Sequence, residues 1–288
     1  MINDKFAVVI LTHGRADRVA TIPTLRACGY TGDIYLVCDD EDPELDRYKD
    51  KYGDKVLVFN KNEVAGRFDK MDNLGKKGVV VYARNAVYEL AKQAGLRYIA
   101  VLDDDYTLFH WRVEGDYSYC CKRMNKLDAV FDTFLTYLKD SGIKTICFAQ
   151  SGDFIGGKHN ETLAVKKLPK RKMMNLFFFD VENPVEFMGT INEDLTASVA
   201  HSITGDVVLT SPLVTLSQKA TQSNAGGLTE VYLDLGTYVK SFYSVMYAPS
   251  AVKIALMGNK DKRLHHSVSW KHCAPKIIRD QKRGEESG

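Results

Sequence analysis

Residues 98–106 read Tyr-Ile-Ala-Val-Leu-Asp-Asp-Asp-Tyr, and in this stretch an apolar run leads directly into three carboxylates. An apolar run of this length predicts a buried strand, covered on both faces as in a parallel sheet. Open α/β sheets bind their ligands at the carboxyl ends of such strands. We therefore expect the acidic triplet to lie at a ligand-binding edge of a sheet.

The spacing of the three carboxylates indicates a cation site. Side chains two residues apart on an extended chain point the same way, so Asp103 and Asp105 can face one point while Asp104 turns aside. Carboxylates this close repel each other unless a cation or strong donors lie among them. Mg²⁺ and Mn²⁺ prefer oxygen ligands and usually also bind substrate phosphates. A solvated acidic turn is the alternative, but the position after a buried strand favours the cation.

Two further polar loops are expected to meet the acidic triplet. The predicted strand Phe6–Leu11 ends in the loop Thr12–Arg15, and the predicted strand 33–38 ends in the acidic loop Asp39–Asp42. Strand, helix and strand at this spacing are typical of a parallel βαβ unit. Because parallel strands end at the same edge of their sheet, these loops should converge with residues 103–105.

The chain as a whole is predicted to be one α/β domain with a mixed, mostly parallel sheet flanked by helices. We expect a Rossmann-like nucleotide-sugar-binding half over residues 1–112, an acceptor half over 113–257 and a basic tail over 258–288. Tyr106–Trp111 is predicted as an edge strand, and 231–246 as a long helix. The chain lacks GxGxxG after its first strand and lacks GxxxxGK[ST], which argues against an ordinary dinucleotide or ATP site. A nucleotide whose diphosphate is held through a metal needs no such loop.

Bulk composition is that of an ordinary soluble protein with a substantial core. The 288 residues are 45% hydrophobic and 26% charged, and the net charge of +2 says little about partners. Residues 158–172 and 253–283 are locally basic, which suits phosphate backbones and is also common in solubilising segments. The six cysteines lack a CxxC spacing, so we expect reduced thiols in a cytoplasmic protein. No apolar run approaches the length of a membrane span.

Two short motifs in the second half could carry chemistry. Glu193-Asp194 precedes a helix-like run, where a carboxylate can serve as general base toward an acceptor hydroxyl. A first-turn acid that the helix dipole favours is the structural alternative. His265-His266 lies in the basic tail, and a neutral imidazole could complete a two-carboxylate metal site. A solvated histidine pair is the alternative there.

Taken together, these motifs resemble a glycosyltransferase of the family-2 type with the GT-A fold. The resemblance rests on Val8–Arg15, Leu36–Asp40, Ala83–Ala86, Val101–Asp105 and Asn192–Asp194. Later stretches resemble more narrowly the TET/JBP-associated glycosyltransferases (TAGT) of bacteriophages, and these are Gln218–Glu230, Gly236–Phe242 and His265–Trp270. That family is proposed to glycosylate hydroxymethylated pyrimidines in phage DNA.

The resemblance implies a metal-dependent, inverting enzyme that moves a sugar from a UDP-sugar to a hydroxyl. The acceptor it implies is the hydroxymethyl group of a 5-hydroxymethylcytosine type of base in phage DNA, and the location is the host cytoplasm. The implied nucleotide-sugar contacts are Thr12, His13, Arg15, Asp39, Asp40, Arg84, Asp103 and Asp104. The implied ligands of Mn²⁺ or Mg²⁺ are Asp103, Asp105 and either His265 or His266. Asp194 takes the position of the catalytic base, with Glu193 as its neighbour.

The chain departs from the family-2 pattern in two places. His13-Gly14 replaces the commoner aromatic-Asn pair of the first loop, which leaves base recognition open. The QxxRW motif of processive synthases is absent, which argues against polysaccharide polymerisation.

Other functions remain as alternatives at this stage. A GT-A enzyme could act on a small molecule, a lipid or a protein hydroxyl. A cytidylyl- or uridylyltransferase would share the acidic sheet edge but would normally carry a glycine-rich first loop. A DNA-binding or scaffolding protein with a decayed site would not need the acidic motifs that are intact here. The sequence leaves open the sugar, the base, the anomeric outcome and the oligomeric state.

Overall fold

A nine-stranded mixed sheet forms the centre of the computed structural model, which describes residues 5–75, 78–115, 118–150, 172–218, 236, 238–257 and 262–274. The strands are β1 (Phe6–Leu11), β2 (Ile34–Asp39), β3 (Val56–Phe59), β4 (Tyr98–Asp103), β5 (Tyr106–Val113), β6 (Tyr119–Arg123), β7 (Thr145–Gln150), β8 (Phe177–Asp180), β9 (Val208–Gln218), β10 (Val252–Met257) and β11 (Arg263–Val268). The helices are α1 (Thr21–Ala27), α2 (Leu45–Tyr52), α3 (Lys61–Ala65), α4 (Val81–Gln93), α5 (Leu127–Ser141), α6 (Glu193–Thr204), α7 (Val239–Tyr247) and α8 (Trp270–Cys273).

The strand order places the predicted binding loops together. The sheet runs β3-β2-β1-β4-β8-β7-β9-β5-β6, and β3, β2, β1 and β4 are mutually parallel. The register pairs Leu11 with both Val37 and Asp103. The loops after β1, β2 and β4 therefore leave the sheet at one edge, as the sequence predicts.

Helices cover both faces of the sheet, which explains the continuous apolar strands. All six residues of β1 are buried, and alternate residues of β1 belong to two different core clusters. One cluster packs against α4 and the other against α5. Phe178 enters the α5 core, while Phe177 and Phe179 enter the α4 core. The predicted class, an α/β fold with a mixed, mostly parallel sheet between helices, is confirmed.

Two local predictions are wrong, and one strand, β6, has no counterpart among the predicted elements. Tyr106–Trp111 is not an edge strand, because β5 lies between β9 and β6. The edge belongs to β6, whose short polar sequence gave no strand signal; exposed polar residues are typical of edge strands. The sequence predicts two short strands, 207–209 and 214–217, but residues 208–218 form the single strand β9, whose register against β7 shifts around Pro212. A bulge of this kind is where a strand tolerates proline.

The C-terminal region has more structure than a basic tail. β10 pairs with β11 in a separate antiparallel hairpin, and the two histidines lie within β11. Of the helix predicted over 231–246, the structure shows α7 from Val239 onward, while 231–235 and 237 lie outside the described residues. Most of the basic stretch 158–172 also lies outside them.

In the part of the chain that the structure describes, every helix is too short or too polar to span a bilayer. All six cysteines are free thiols.

Candidate active site

The loop after β1 is held by the middle carboxylate of the acidic triplet. Thr12 Oγ1 donates to Asp104 Oδ2 at 2.7 Å, and Arg15 Nη1 donates to Asp104 Oδ1 at 2.7 Å. Tyr48 OH lies 2.7 Å from Thr12 Oγ1 and accepts from the Arg15 amide at 2.8 Å. Asp104 is 4% exposed, so its carboxylate points inward toward this loop while its neighbours lie closer to solvent.

Asp39, at the end of β2, is a buried carboxylate held from both sides. His13 Nδ1 lies 2.8 Å from Asp39 Oδ2, and Lys61 Nζ lies 2.7 Å from Asp39 Oδ1. Burial alone would raise the pKa of Asp39, but the bonds from His13 and Lys61 outweigh it and bring the pKa to about 2. The same bond raises the pKa of His13. The imidazole is half exposed and forms the solvent side of this cluster.

The other acidic residues of the β2 loop shape the backbone. Asp42 accepts from the Gly14 amide at 3.0 Å, where Gly14 adopts a φ of 63°. Asp40 accepts from Asn60 Nδ2 at 2.6 Å and from the Lys61 amide at 2.9 Å. Asp40 therefore joins the ends of β2 and β3, and it is exposed beside them.

Asp103 and Asp105 form the open side of the acidic triplet. The Asp103 side chain is 32% exposed, and its Oδ1 lies 3.9 Å from Arg84 Nη2. Burial raises the pKa of Asp105 to about 6, and repulsion from Asp103 and Asp104 adds to the shift. Burial and the charge of Asp104 likewise raise the pKa of Asp103, although Arg84 opposes them. A cation bound between these two crowded carboxylates would stabilise their ionised forms.

Arg84 joins this acidic pair to the start of α6. Its Nη1 pairs with Glu193 Oε1, and both side chains are 7% exposed. The guanidinium carbon lies 4.9 Å from the ring centre of Phe177 and 5.5 Å from that of Phe187, so the cation is packed between aromatic faces. The resemblance puts Arg84 near the nucleotide or its phosphates, and the structure places it between the carboxylates of Asp103 and Glu193.

Asn192 is the N-cap residue of α6 and immediately precedes Glu193 and Asp194 in its first turn. It adopts a left-handed φ of 55°, a conformation that Asn tolerates better than most residues. Its Nδ2 donates to the Lys240 carbonyl at 2.6 Å and lies 3.3 Å from Ser244 Oγ. These bonds tie the beginning of α6 to α7.

The two carboxylates at the start of α6 differ in their partners. Asp194 Oδ2 forms an ion pair with Lys172 Nζ, and these side chains are 20% and 25% exposed. Burial raises the pKa of Glu193 despite the opposing charge of Arg84. Burial would also raise the pKa of Asp194, but Lys172 and then Arg84 outweigh it and lower that pKa. Asp194 is therefore the more accessible carboxylate of the pair, and its pKa is shifted in the direction that favours the ionised form.

The histidines of β11 lie toward this second carboxylate pair. His266 Nδ1 is 3.4 Å from Asn192 Nδ2, and His265 Nδ1 donates to the His266 carbonyl at 2.8 Å. Burial and the charges of His265 and Lys172 bring the pKa of His266 to about 4, so His266 is neutral at physiological pH.

The donor set at the acidic triplet fits a hard cation that shares its coordination with a substrate. Within the described residues, no group of three His, Cys, Asp or Glu side chains is assembled for a metal. Two carboxylates, Asp103 and Asp105, are enough for Mg²⁺ or Mn²⁺, which usually take one or two protein carboxylates and complete their shell with phosphate oxygens and water.

Three lysines at the site were not singled out in the sequence. Lys61 comes two residues after the end of β3, so the rule that parallel strands end at one edge could have placed it beside Asp39. Lys172 and Lys240 come from distant segments that approach α6 only in the folded chain. Local pattern carries no signal for them.

Comparisons with known proteins give a family for the chain. The sequence profile of the TET-Associated Glycosyltransferase family matches residues 6–227. No functionally curated protein matches. Similar solved structures include S. aureus TarS, with 12% identity and a TM-score of 0.42 over 75% of this chain and 37% of that chain. Its fragment 1–349 matches with 12% identity and a TM-score of 0.41 over 76% of this chain and 61% of the fragment. GalNAc-T7 with UDP, GalNAc and Mn²⁺ is another similar structure, with 12% identity and a TM-score of 0.44 over 74% of this chain and 43% of that chain. The chain spans less than two thirds of each of these solved chains.

Proposed function

The chain belongs to the TET-associated glycosyltransferase family, and from this premise we propose that it transfers a sugar from a UDP-sugar to the hydroxymethyl group of a modified pyrimidine in bacteriophage DNA. The base is of the 5-hydroxymethylcytosine type. The observation that carries the proposal is the bridge formed by Arg84. This side chain links Asp103, on the donor side, to Glu193, the neighbour of Asp194.

The donor nucleotide is assigned to the loops after β1, β2 and β4. Thr12, Arg15 and Asp104 hold one another in a rigid arrangement, and His13 presents its half-exposed ring from the Asp39 cluster. Exposed Asp40 stands at the same edge. This half of the chain, residues 1–112, would hold the nucleotide sugar, and 113–257 would hold the acceptor.

The proposed metal lies at the open pair of carboxylates. Asp103 and Asp105 would hold Mn²⁺ or Mg²⁺, with His265 or His266 as a further candidate ligand. A divalent ion there supplies neutralising charge to the diphosphate leaving group. The mutual repulsion of these two carboxylates supports this assignment, because a bound cation removes it.

Asp194 is the proposed catalytic base. Its carboxylate takes the proton of the acceptor hydroxyl as that oxygen forms a bond to the anomeric carbon of the sugar. The bond from the anomeric carbon to the diphosphate breaks in the same step, and UDP leaves with its electron pair. A single displacement of this kind inverts the anomeric centre. Glu193, held by Arg84, fixes the first turn of the helix that carries the base.

DNA as acceptor is supported by the family and by the charge of the C-terminal hairpin. Lys253, Lys262 and Arg263 are exposed on or beside β10 and β11. A base inside a duplex would have to be flipped into the site, at a cost of a few kcal/mol. Binding through phosphate contacts should weaken steeply as salt is raised.

The test is a UDP-release assay with Mn²⁺ and a panel of UDP-sugars. Four acceptors are compared: DNA that contains 5-hydroxymethylcytosine, unmodified DNA of the same sequence, small hydroxyl compounds and no acceptor. Release that requires the hydroxymethylated DNA supports the proposal. Release with small acceptors and not with modified DNA would move the function to another class of acceptor. Absence of UDP release with every donor and acceptor would contradict glycosyl transfer.

A further inference from the structure

Lys172 makes a direct ion pair with the proposed base, and nothing in the sequence motifs assigns it a role. Its Nζ contacts Asp194 Oδ2, and among the described residues it is the cation in contact with that carboxylate. Arg84 is engaged by Glu193 instead. Both members of the Lys172 pair are mostly buried, so solvent screens the interaction less than it would at the surface.

The backbone on either side of the Lys172 side chain is anchored to the same helix and sheet. The Lys172 carbonyl accepts from Thr210 Oγ1 at 2.7 Å. The amide of Met173 donates to Ser198 Oγ at 2.9 Å, and Ser198 Oγ donates onward to the Asp194 carbonyl at 2.7 Å. Met173, Ser198 and Thr210 are at most 2% exposed. Lys172 and Asp194 are thus joined twice, through their side chains and through a buried chain of hydrogen bonds.

We infer that Lys172 is a positioning residue for the proposed base: its ammonium group keeps the Asp194 carboxylate ionised and directed at the acceptor side of the site. The inference rests on the proposed function, since it assigns Lys172 to the base of that reaction. An ionised carboxylate is what a general base must be before it can take a proton.

The need for such a cation follows from the charges around Asp194. Titratable or charged side chains from several elements interact with Asp194. They are Glu193 on α6, Asp103 at the end of β4, Arg84 on α4, Lys172 before β8, Lys240 on α7 and His266 on β11. Burial and the neighbouring carboxylates disfavour ionisation of Asp194, whereas Lys172 opposes them most strongly. Lys240 is a weaker source of charge, because burial and repulsion from Lys172 lower its own pKa.

The experiment measures kcat/KM for sugar transfer between pH 4 and 9 in wild type, Lys172→Met and Lys172→Arg. Loss of one adjacent opposite charge moves a carboxylate's pKa by about 1–3 units. The acid limb of the Lys172→Met profile should therefore move to higher pH by about one unit or more, so that the loss of activity relative to wild type grows as the pH falls and disappears by pH 9. Lys172→Arg should keep the wild-type limb. Lys92→Met, which removes an exposed ion pair to Glu182, is the matched control and should not move it.

Each outcome decides between roles. A merely structural Lys172 would lower activity by the same factor at every pH, and a lysine that grips the donor would raise the KM for the UDP-sugar; either result overturns the inference. A coincident acid limb in wild type and Lys172→Met does so as well, and leaves the proposed function standing. A wild-type protein that transfers no sugar to any acceptor overturns the proposed function and this inference together. Thermal melting and UDP binding of Lys172→Met show whether the variant is folded.

Discussion

The guanidinium of Arg84 lies 3.9 Å from the Asp103 carboxylate through one terminal nitrogen and forms an ion pair with Glu193 through the other. One buried cation thus spans 90 residues of sequence between the acidic strand end and the first turn of α6. This contact makes a single site out of two motifs, and it also makes that site dependent on one side chain.

Replacing Arg84 should destabilise the protein strongly. Arg84→Met leaves the Glu193 carboxylate buried without a partner, and breaking a buried pair in this way costs about 3–5 kcal/mol. The double variant Arg84→Met/Glu193→Gln removes the stranded charge and should recover about half of the loss. Urea unfolding measures both. The matched control is Arg67→Met, which breaks an exposed pair to Glu89 and should cost about 1 kcal/mol or less. Equal costs at Arg67 and Arg84 would contradict the buried bridge.

Neutralising Asp105 should stabilise the metal-free protein. The pKa of this carboxyl is raised from 3.8 to about 6, so above pH 6 the group is ionised in the folded state and its ionisation destabilises that state relative to the unfolded chain. Asp105→Asn should therefore gain about 1–2 kcal/mol at pH 8 in the presence of a chelator. Addition of Mn²⁺ should raise the melting temperature of wild type more than that of the variant. An Asp105→Asn variant that is less stable than wild type in chelator would show that the carboxylates are not in conflict.

The Asp39 cluster should govern stability in acid. Asp39 has a pKa of about 2 in the folded chain against an ordinary value of 3.8, so its contribution is complete above 3.8 and is lost as pH falls through 2. Lys61→Met removes one of the two groups that lower this pKa. The variant should unfold at higher pH than wild type in an acid titration, and circular dichroism follows the transition. Lys55→Met, which breaks an exposed pair to Asp33, is the control. Identical acid midpoints for Lys61→Met and wild type would remove Lys61 from the cluster.

Gly189 should not accept a side chain. Its φ is 81°, and a Cβ there would lie 2.9 Å from Tyr243 Cε1 and 3.1 Å from Met71 Sδ. Gly189→Ala combines backbone strain with overpacking and should cost about 2–4 kcal/mol in chemical denaturation. Gly142 has a φ of 65° with open space around it, so Gly142→Ala should cost about 1 kcal/mol from strain alone. Equal losses at the two positions would argue against close packing of Tyr243 beside Gly189.

Much of the sheet edge where β1, β2 and β4 end could be predicted because its signals are local. The apolar runs of β1 and β4 and the polar residues that follow them specify parallel buried strands, and parallel strands bring their ends together by geometry. The alternation rule likewise indicated that Asp104 would turn away from its neighbours, and its carboxylate does bond to the first loop.

The region around the start of α6 could not be predicted to the same depth because its contacts come from long-range packing. Lys172 pairs directly with Asp194, while Thr210 holds the Lys172 carbonyl and Ser198 holds the amide of Met173; none of these residues has a distinctive sequence context. The histidine strand was missed because β11 has mixed polar composition and finds its partner, β10, outside the main sheet. The strand is defined by its pairing with β10 and not by the run of apolar residues that identifies a buried strand.

The most direct test of the central claim is a comparison of wild type with Asp194→Asn, in which UDP binding in the presence of Mn²⁺ and sugar transfer to DNA containing 5-hydroxymethylcytosine are measured on the same preparations. The account predicts UDP affinities within about threefold of each other and at least a hundredfold loss of transfer in the variant, because a general base contributes about 10²–10⁴ to rate. Full transfer activity in Asp194→Asn would contradict it.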